Sequence, residues 1–401
     1  MVCIAINLLL LLSLTALSIL SVTSATTIGV TYSTSFSVGV APERVAEKVV
    51  SMKIPAVRLL DSNPAMIGAF AYTNVSLFLS IPNPLVPLLA SNSAVAKQWV
   101  HRHVLPFYPH TKISIISVGN DDIADSPDVS RFLLRAMQHV RRSLKDHRIY
   151  KISVSTTFSL FNIVSMARPP SAARFQQPNG EVILRPILQF LERTNSSFLI
   201  NLHPYSLYRS SWTFTIGFCL LQVSPYGFIT DPATGIKYTN LFDVMLDSLV
   251  RSLADMGHAK IPVIVAETGW PSSGIDASEV DATLLYGRLF FTSLIAHLRG
   301  NGTTLKNRGP SEVYLFELLD KDCDGLRNWG LLYNNMTNKY GELVYAVDHH
   351  DPIIDPLVAG LVIGAILGVG VLIFGIRRGW TYEDFEKFFD FLRKILDHLK
   401  R

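Results

Sequence analysis

The chain has 401 residues, and its 36 basic and 32 acidic side chains leave a net charge of +4. Hydrophobic residues make up 49% and charged residues 17%, which excludes a disordered chain or one built to coat a polyanion. The cysteines are Cys3, Cys219 and Cys323, too few for a disulfide framework or a cysteine-based zinc site.

The mean hydropathy of +0.29 is high, and the two ends supply much of it. Residues 6–22 are an almost unbroken apolar run, followed by the small residues Thr23, Ser24 and Ala25. This predicts a secretory signal peptide over residues 1–25, cleaved near Ala25, with an uncleaved anchor as the alternative because a basic flank is missing. Residues 356–376 carry no charge and match one helical crossing of a hydrocarbon core about 30 Å thick. Arg377 and Arg378 follow, so the positive-inside rule predicts a transmembrane helix with a cytosolic C-terminus. Gly360, Gly364 and Gly368 share one face of that helix and would let two copies pair. In the tail, 377–401, Phe385, Phe388, Phe389, Leu392, Leu396 and Leu399 recur at helical spacing opposite Glu386, Lys387, Arg393, Lys394 and Lys400. The pattern predicts an amphipathic cytosolic helix. A GPI signal would end with its apolar run, so the charged tail argues against one.

Between the ends, residues 26–350 alternate short β-rich runs with longer helical patterns. Strands are predicted over 27–32, 56–60, 77–81, 113–118, 151–156, 198–202, 262–266 and 313–318. Helices are predicted over 43–52, 94–104, 127–144, 241–256 and 277–298, and a long loop over 168–180. Near-continuous apolar strands are those of a parallel sheet covered on both faces. Eight such repeats without a linker predict one α/β domain, a (β/α)₈ TIM barrel. The rival, a doubly wound open sheet, would want a glycine-rich phosphate loop after an early strand, and the sequence has none. Sequons at Asn74, Asn195, Asn301 and Asn335 predict surface glycans in a secreted chain.

In such a barrel the chemistry stands at the strand ends. In chain order those positions hold Tyr32 and Ser33; Arg58 and Asp61; Asn83; Asn120, Asp121 and Asp122; His203 and Tyr205; Glu267 and Trp270; and Glu317, Asp320, Lys321, Asp322 and Asp324. The set lacks the histidine or cysteine cluster of a transition-metal site, and the chain has no nucleophile elbow, P-loop or dinucleotide fingerprint. No metal or cofactor is expected. Carboxylates with aromatics fit carbohydrate chemistry. Acetal cleavage needs one carboxyl to protonate the leaving oxygen and a second to attack or to activate water.

Several runs together carry a family resemblance. Val265-Ala-Glu-Thr-Gly-Trp-Pro-Ser-Ser-Gly274 resembles the signature of the plant endo-1,3-β-glucanases, glycoside hydrolase family 17. Ile28-Gly-Val-Thr-Tyr32, Val57-Arg-Leu-Leu-Asp61, Ser117-Val-Gly-Asn120, Tyr314-Leu-Phe-Glu-Leu-Leu-Asp320 and Trp329-Gly-Leu331 resemble its other segments in the same order, so the likeness covers nearly the whole body. It implies a retaining hydrolase acting on β-1,3-glucan, with Glu267 as nucleophile, Asp121 at the acid/base position and Asn120 on the sugar 2-hydroxyl. Tyr32, Tyr205, Trp270 and Lys321 would complete the substrate site, with Tyr205 and Trp270 either stacking platforms for the sugar or residues that pack the rim.

The sequence also departs from that pattern. The family has Glu where Asp121 stands, and Asp is one methylene shorter. Lys321 and Asp324 replace a Glu and a Lys, exchanging two signs. Thr31, Ser33, Leu60 and His203 stand for Asn, Gly, Tyr and Tyr. A lysine beside Glu267 would keep that carboxylate ionised. Two functions remain open at this level. One is a membrane-anchored endo-1,3-β-glucanase at the cell surface, its barrel facing the wall. The other is a pseudo-enzyme that binds β-1,3-glucan without cleaving it.

Overall fold

Apolar and β-branched runs form eight parallel strands: β1 Thr27–Tyr32, β2 Ala56–Leu59, β3 Ser76–Ile81, β4 Lys112–Asn120, β5 Ser153–Ser159, β6 Phe198–Asn201, β7 Val263–Thr268 and β8 Glu312–Leu315. Each pairs with its sequence neighbours, and β8 closes on β1, where Ile28 lies opposite Val313. The result is a closed (β/α)₈ barrel, as the strand count predicts. These features come from a computed structural model that describes residues 26–345, apart from 37–38, 122–126, 166–168, 211–212, 301–308, 322–324 and 342, and a few positions between 378 and 387. Residues Ala25–Val347 form one unit.

Strand alternation sorts the side chains into two cores. Val57 and Leu59 of β2 join the large cluster under the helices, whereas Ala56 joins a smaller one with Phe78, Ile115, Leu199, Ile264, Ala266 and Tyr314. The smaller cluster fills the barrel, so the interior is packed rather than a pore. Its tight point is Gly29. A Cβ there would stand 2.7 Å from the Ala56 carbonyl oxygen and 2.8 Å from the Tyr314 ring, so only glycine admits that ring.

Outside run the helices. Pro42–Ser51, Ser93–His103 and Leu133–Asp146 each bury one apolar stripe, for example Val45, Ala46 and Val49 in the first. Two differences from the sequence expectation have local causes. A helix over Arg185–Thr194, not foreseen, buries Ile187, Leu188 and Leu191 and ends at Asn195 in a left-handed conformation. The helix expected from residue 277 begins at Leu284 instead. Thr283 caps it by accepting the Tyr286 amide hydrogen at 3.2 Å, and the preceding residues become a loop with work of its own.

Among the described residues no helix is long and apolar enough to cross a membrane. The segments 1–25 and 356–376, with Gly360, Gly364 and Gly368, lie outside them, as do most of the amphipathic tail, Asn301, Cys323 and Asp324. Asn74, Asn195 and Asn335 stand exposed, and Cys219 is a buried free thiol.

Candidate active site

Two strands that carry candidate residues break register just before their ends. Between β7 and β6, Val265 lies opposite Ile200, yet Glu267 lies opposite Asn201. Between β4 and β5, Ser117 lies opposite Ser155, yet Asn120 lies opposite Thr157. Each strand therefore carries one extra residue, a β-bulge. Alternation from Ile264 and Ala266 would send Glu267 outward; the bulge turns it into the mouth. The same shift turns Asn120 inward, helped by Gly119 at φ +80°.

Arg58 of β2 ties these ends together from below. Fully buried, it packs over the Phe78 ring at 4.8 Å. Its Nη1 donates to Glu267 Oε1 at 2.8 Å, to the Ala266 carbonyl at 3.2 Å and to Asn201 Oδ1 at 3.4 Å. Its Nη2 donates to Asn120 Oδ1 at 3.1 Å, and Asn201 Nδ2 donates to the same oxygen at 3.1 Å. Asn83 holds the end of β4 from the other side. Its Nδ2 donates to the Asn120 carbonyl, and its Oδ1 accepts the Asn120 amide hydrogen, each at 2.9 Å. The planar five-donor guanidinium suits such a hub, where a lysine could not make the same set of bonds.

Glu267 is only 6% exposed. Burial pushes its pKa up, but the Arg58 guanidinium, His203 and Lys321 outweigh it and hold the carboxyl below the ordinary range. His203 Nε2 stands 3.4 Å from Glu267 Oε2. Lys321 adds its charge from the loop after β8, in the direction its sequence position suggests. It also stands 3.9 Å from Oε1 of a second buried carboxyl, Glu317. Burial pushes Glu317 up to about 7, with Glu267 and Asp320 adding to the rise. The mouth therefore holds one carboxylate fixed as an anion beside one that holds its proton near neutrality, the asymmetry that acid–base chemistry uses.

Asp121 follows Asn120 in a left-handed conformation, φ +58°, which aspartate tolerates better than most residues. Its amide donates to the Thr157 carbonyl at 2.9 Å. Its Oδ1 accepts from the Ser159 amide at 3.1 Å and from Asn162 Nδ2 at 2.7 Å. Both of these donors are uncharged; Ser159 ends β5, and Asn162 lies in the short helix Leu160–Ile163 that follows it.

Three expected substrate contacts are corrected by burial. Tyr32, Tyr205 and Trp270 are 2%, 1% and 0% exposed, so none offers a ring face for a sugar to stack on. Tyr205 packs edge-on to Trp270 with centroids 4.9 Å apart, and its hydroxyl donates to Glu279 Oε2 at 2.6 Å. Trp270 Nε1 donates to the Asp281 carbonyl at 2.9 Å. The loop that replaces the expected start of the helix at 277 thus covers both rings. Arg327 clamps it in turn, donating to both oxygens of Glu279 at 2.8 and 2.9 Å. The sequence reading missed this clamp, because Glu279 and Arg327 lie in loops with no periodic signal. Among the described residues, His203 and Phe316 are half-buried rings at the mouth, 5.7 Å apart and edge to face. Asp61, another candidate, is occupied in bracing the end of β1, where its Oδ2 accepts from the Thr34 amide and hydroxyl at 2.6 Å each.

The Glu-Thr-Gly-Trp motif has a structural reason besides its carboxylate. A Cβ on Gly269 would stand 2.3 Å from the Phe316 carbonyl oxygen, so β7 and β8 can meet this closely only at glycine. Gly330 is under the same constraint, 2.3 Å from the Asp320 amide nitrogen.

A closed parallel barrel with carboxyls and a guanidinium gathered at the C-terminal mouth is the architecture of a glycosidase-type barrel. The comparisons agree. The family described as Glycosyl hydrolases family 17 matches residues 28–343, and the chain belongs to that family. It is 39% identical over 307 residues to glucan endo-1,3-beta-glucosidase 7 of Arabidopsis thaliana, covering 75% of this chain and 60% of that protein. It is 38% identical over 277 residues to glucan endo-1,3-beta-D-glucosidase of Olea europaea, covering 68% and 59%. Its structure is similar to CJP38, a β-1,3-glucanase and allergen of Cryptomeria japonica pollen, with a TM-score of 0.74 at 27% identity over 80% of this chain and 100% of that one. The chain spans about 60% of the length of the curated relatives it matches.

Proposed function

We propose that this protein hydrolyses internal 1,3-β-D-glucosidic linkages of a callose-type β-1,3-glucan with retention of configuration. Glu267 is the nucleophile. It attacks the anomeric carbon while Asp121 gives its proton to the leaving oxygen, and water then releases the glycosyl ester with Asp121 as base. Asn120, braced by Asn83 and Arg58, binds the sugar 2-hydroxyl. Lys321 and the rings of His203 and Phe316 line the sugar's approach. One observation carries the reading: Glu267 sits buried at the end of β7 yet stays ionised, held by Arg58, His203 and Lys321.

A second reading is binding without turnover, and the seat of Asp121 favours it. Its short side chain points one oxygen at two uncharged donors, the Ser159 amide and Asn162 Nδ2. The apolar segment 356–376 and the leading segment 1–25 supply the reasons to set the protein at the cell surface, its barrel toward the wall.

The purified protein assayed on a soluble β-1,3-glucan separates the two readings. Under hydrolysis, wild type releases reducing ends, the first product is the β-anomer, and Glu267→Gln is silent while still binding. Under binding alone, wild type is already silent and still binds.

A further inference from the structure

We propose that Glu317 is a positioning residue for Glu267, a buried carboxyl that stays neutral while Glu267 is charged and takes up a negative charge beside Lys321 when Glu267 gives its own up. The two stand at adjacent strand ends. Thr268 of β7 lies opposite Leu315 of β8, and the Phe316 amide donates to the Thr268 carbonyl at 2.8 Å. Glu317 is 4% exposed. Among the described residues no hydrogen bond reaches its Oε1, and the Lys321 ammonium stands 3.9 Å away.

The charged groups around Glu317 come from every neighbouring element. Glu267 faces it from β7, and Asp320 and Lys321 from the loop after β8. Lys339 faces it from the C-terminal segment, itself bonded to Asp320 at 2.5 Å. Behind Glu267 stand Arg58 from β2 and His203 from the loop after β6. Burial and the two nearby carboxylates favour the neutral form of Glu317; the lysines favour the charged one. The balance therefore depends on whether Glu267 carries its charge.

During hydrolysis that charge disappears. The bond from the anomeric carbon to Glu267 forms as the bond to the leaving sugar breaks, and Asp121 supplies the leaving oxygen's proton. The ester is neutral, which leaves Arg58 and Lys321 without their anion in a poorly solvated pocket. Glu317 then releases its proton to water and restores neutrality. When water cleaves the ester and Glu267 recovers its charge, Glu317 takes a proton back. This role in turnover rests on the hydrolytic reading; the coupling of the two carboxyls does not.

The test is a pH titration of the full chain labelled with 13C at the glutamate side-chain carboxyls and followed by NMR. One glutamate titrates near pH 7 in wild type, and Glu317→Gln removes that signal. Glu267→Gln shifts it to lower pH, and Lys321→Met shifts it to higher pH. Should either glutamine variant fail to fold, the shift in Lys321→Met decides. Absence of any glutamate titrating near neutrality, or a titration that Glu267→Gln or Lys321→Met leaves in place, overturns the proposal. A protein that shows these shifts but does not cleave glucan sinks the hydrolytic reading and leaves the coupling standing.

Discussion

The ends of β7 and β4 use the same backbone device and surround their carboxyls differently. Each strand takes one extra residue and turns a polar side chain into the mouth. At the end of β7 the neighbours are the cations Arg58 and Lys321 and the imidazole of His203, and Glu267 is held as an anion. At the end of β4, Asp121 accepts from a backbone amide and a side-chain amide, and its backbone is left-handed. The bulge decides which polar side chain enters the mouth, Glu267 on β7 and Asn120 on β4; at β7 the surrounding charges then fix the carboxyl as an anion.

Four substitutions and one pH measurement would break or sharpen this contrast. The largest effect is expected at Glu267. Glu267→Gln should lower kcat on soluble β-1,3-glucan by about 10⁴-fold or more, the scale on which loss of a nucleophile acts. Arg58→Met should cost about 3–5 kcal/mol in urea unfolding, because it leaves Glu267 as an unpaired buried charge. If Glu267 tolerated the loss with little change, the cationic cage would not be what sets the end of β7 apart.

At the other end, Asp121→Glu restores about one methylene of reach. It should raise kcat by up to about 10²-fold, the effect of correcting a misplacement near 1 Å. A rate that falls instead would mean that the short side chain is fitted to its seat. The helix cap at Thr283 is far smaller in effect. Thr283→Ala should cost about 1 kcal/mol in thermal unfolding and leave the pH dependence of the mouth unchanged.

Glu317 gives the comparison a pH axis. Its folded-state pKa lies above the ordinary carboxyl value of 4.5, at about 7. Its contribution to stability is therefore fully present below about 4.5 and is lost as the pH rises through 7. Unfolding curves collected across that window should show wild type losing stability relative to Glu317→Gln as the pH rises. Parallel curves would show that Glu317 does not hold its proton in the fold.

Much of this was legible in the residues. The run Thr27–Tyr32 reads as a strand to its boundaries, and the alternation of the others gives their number and order. Glu267, Asn120, His203 and Lys321 stand where strand-end logic looks for them. Two of the failures share one cause. Tyr205 and Trp270 read as platforms because aromatics near a barrel mouth are suited to stack on sugars, but a loop held by Glu279 and Arg327 covers them. Nothing local in either loop announces that pairing. Arg58 could be named from its strand, yet not its role, since its partner lies 209 residues away.

The sequence by itself determined the barrel, its strand order and the position of the nucleophile candidate. Those properties follow from burial patterns and steric limits that recur every two or four residues along the chain. The tertiary structure alone decided that Glu267 and Asn120 turn inward, that Arg58 joins them, and that Glu317 is closed in beside a like charge. Those outcomes arise from register between strands and from charges brought together by folding, and no stretch of neighbouring residues encodes either.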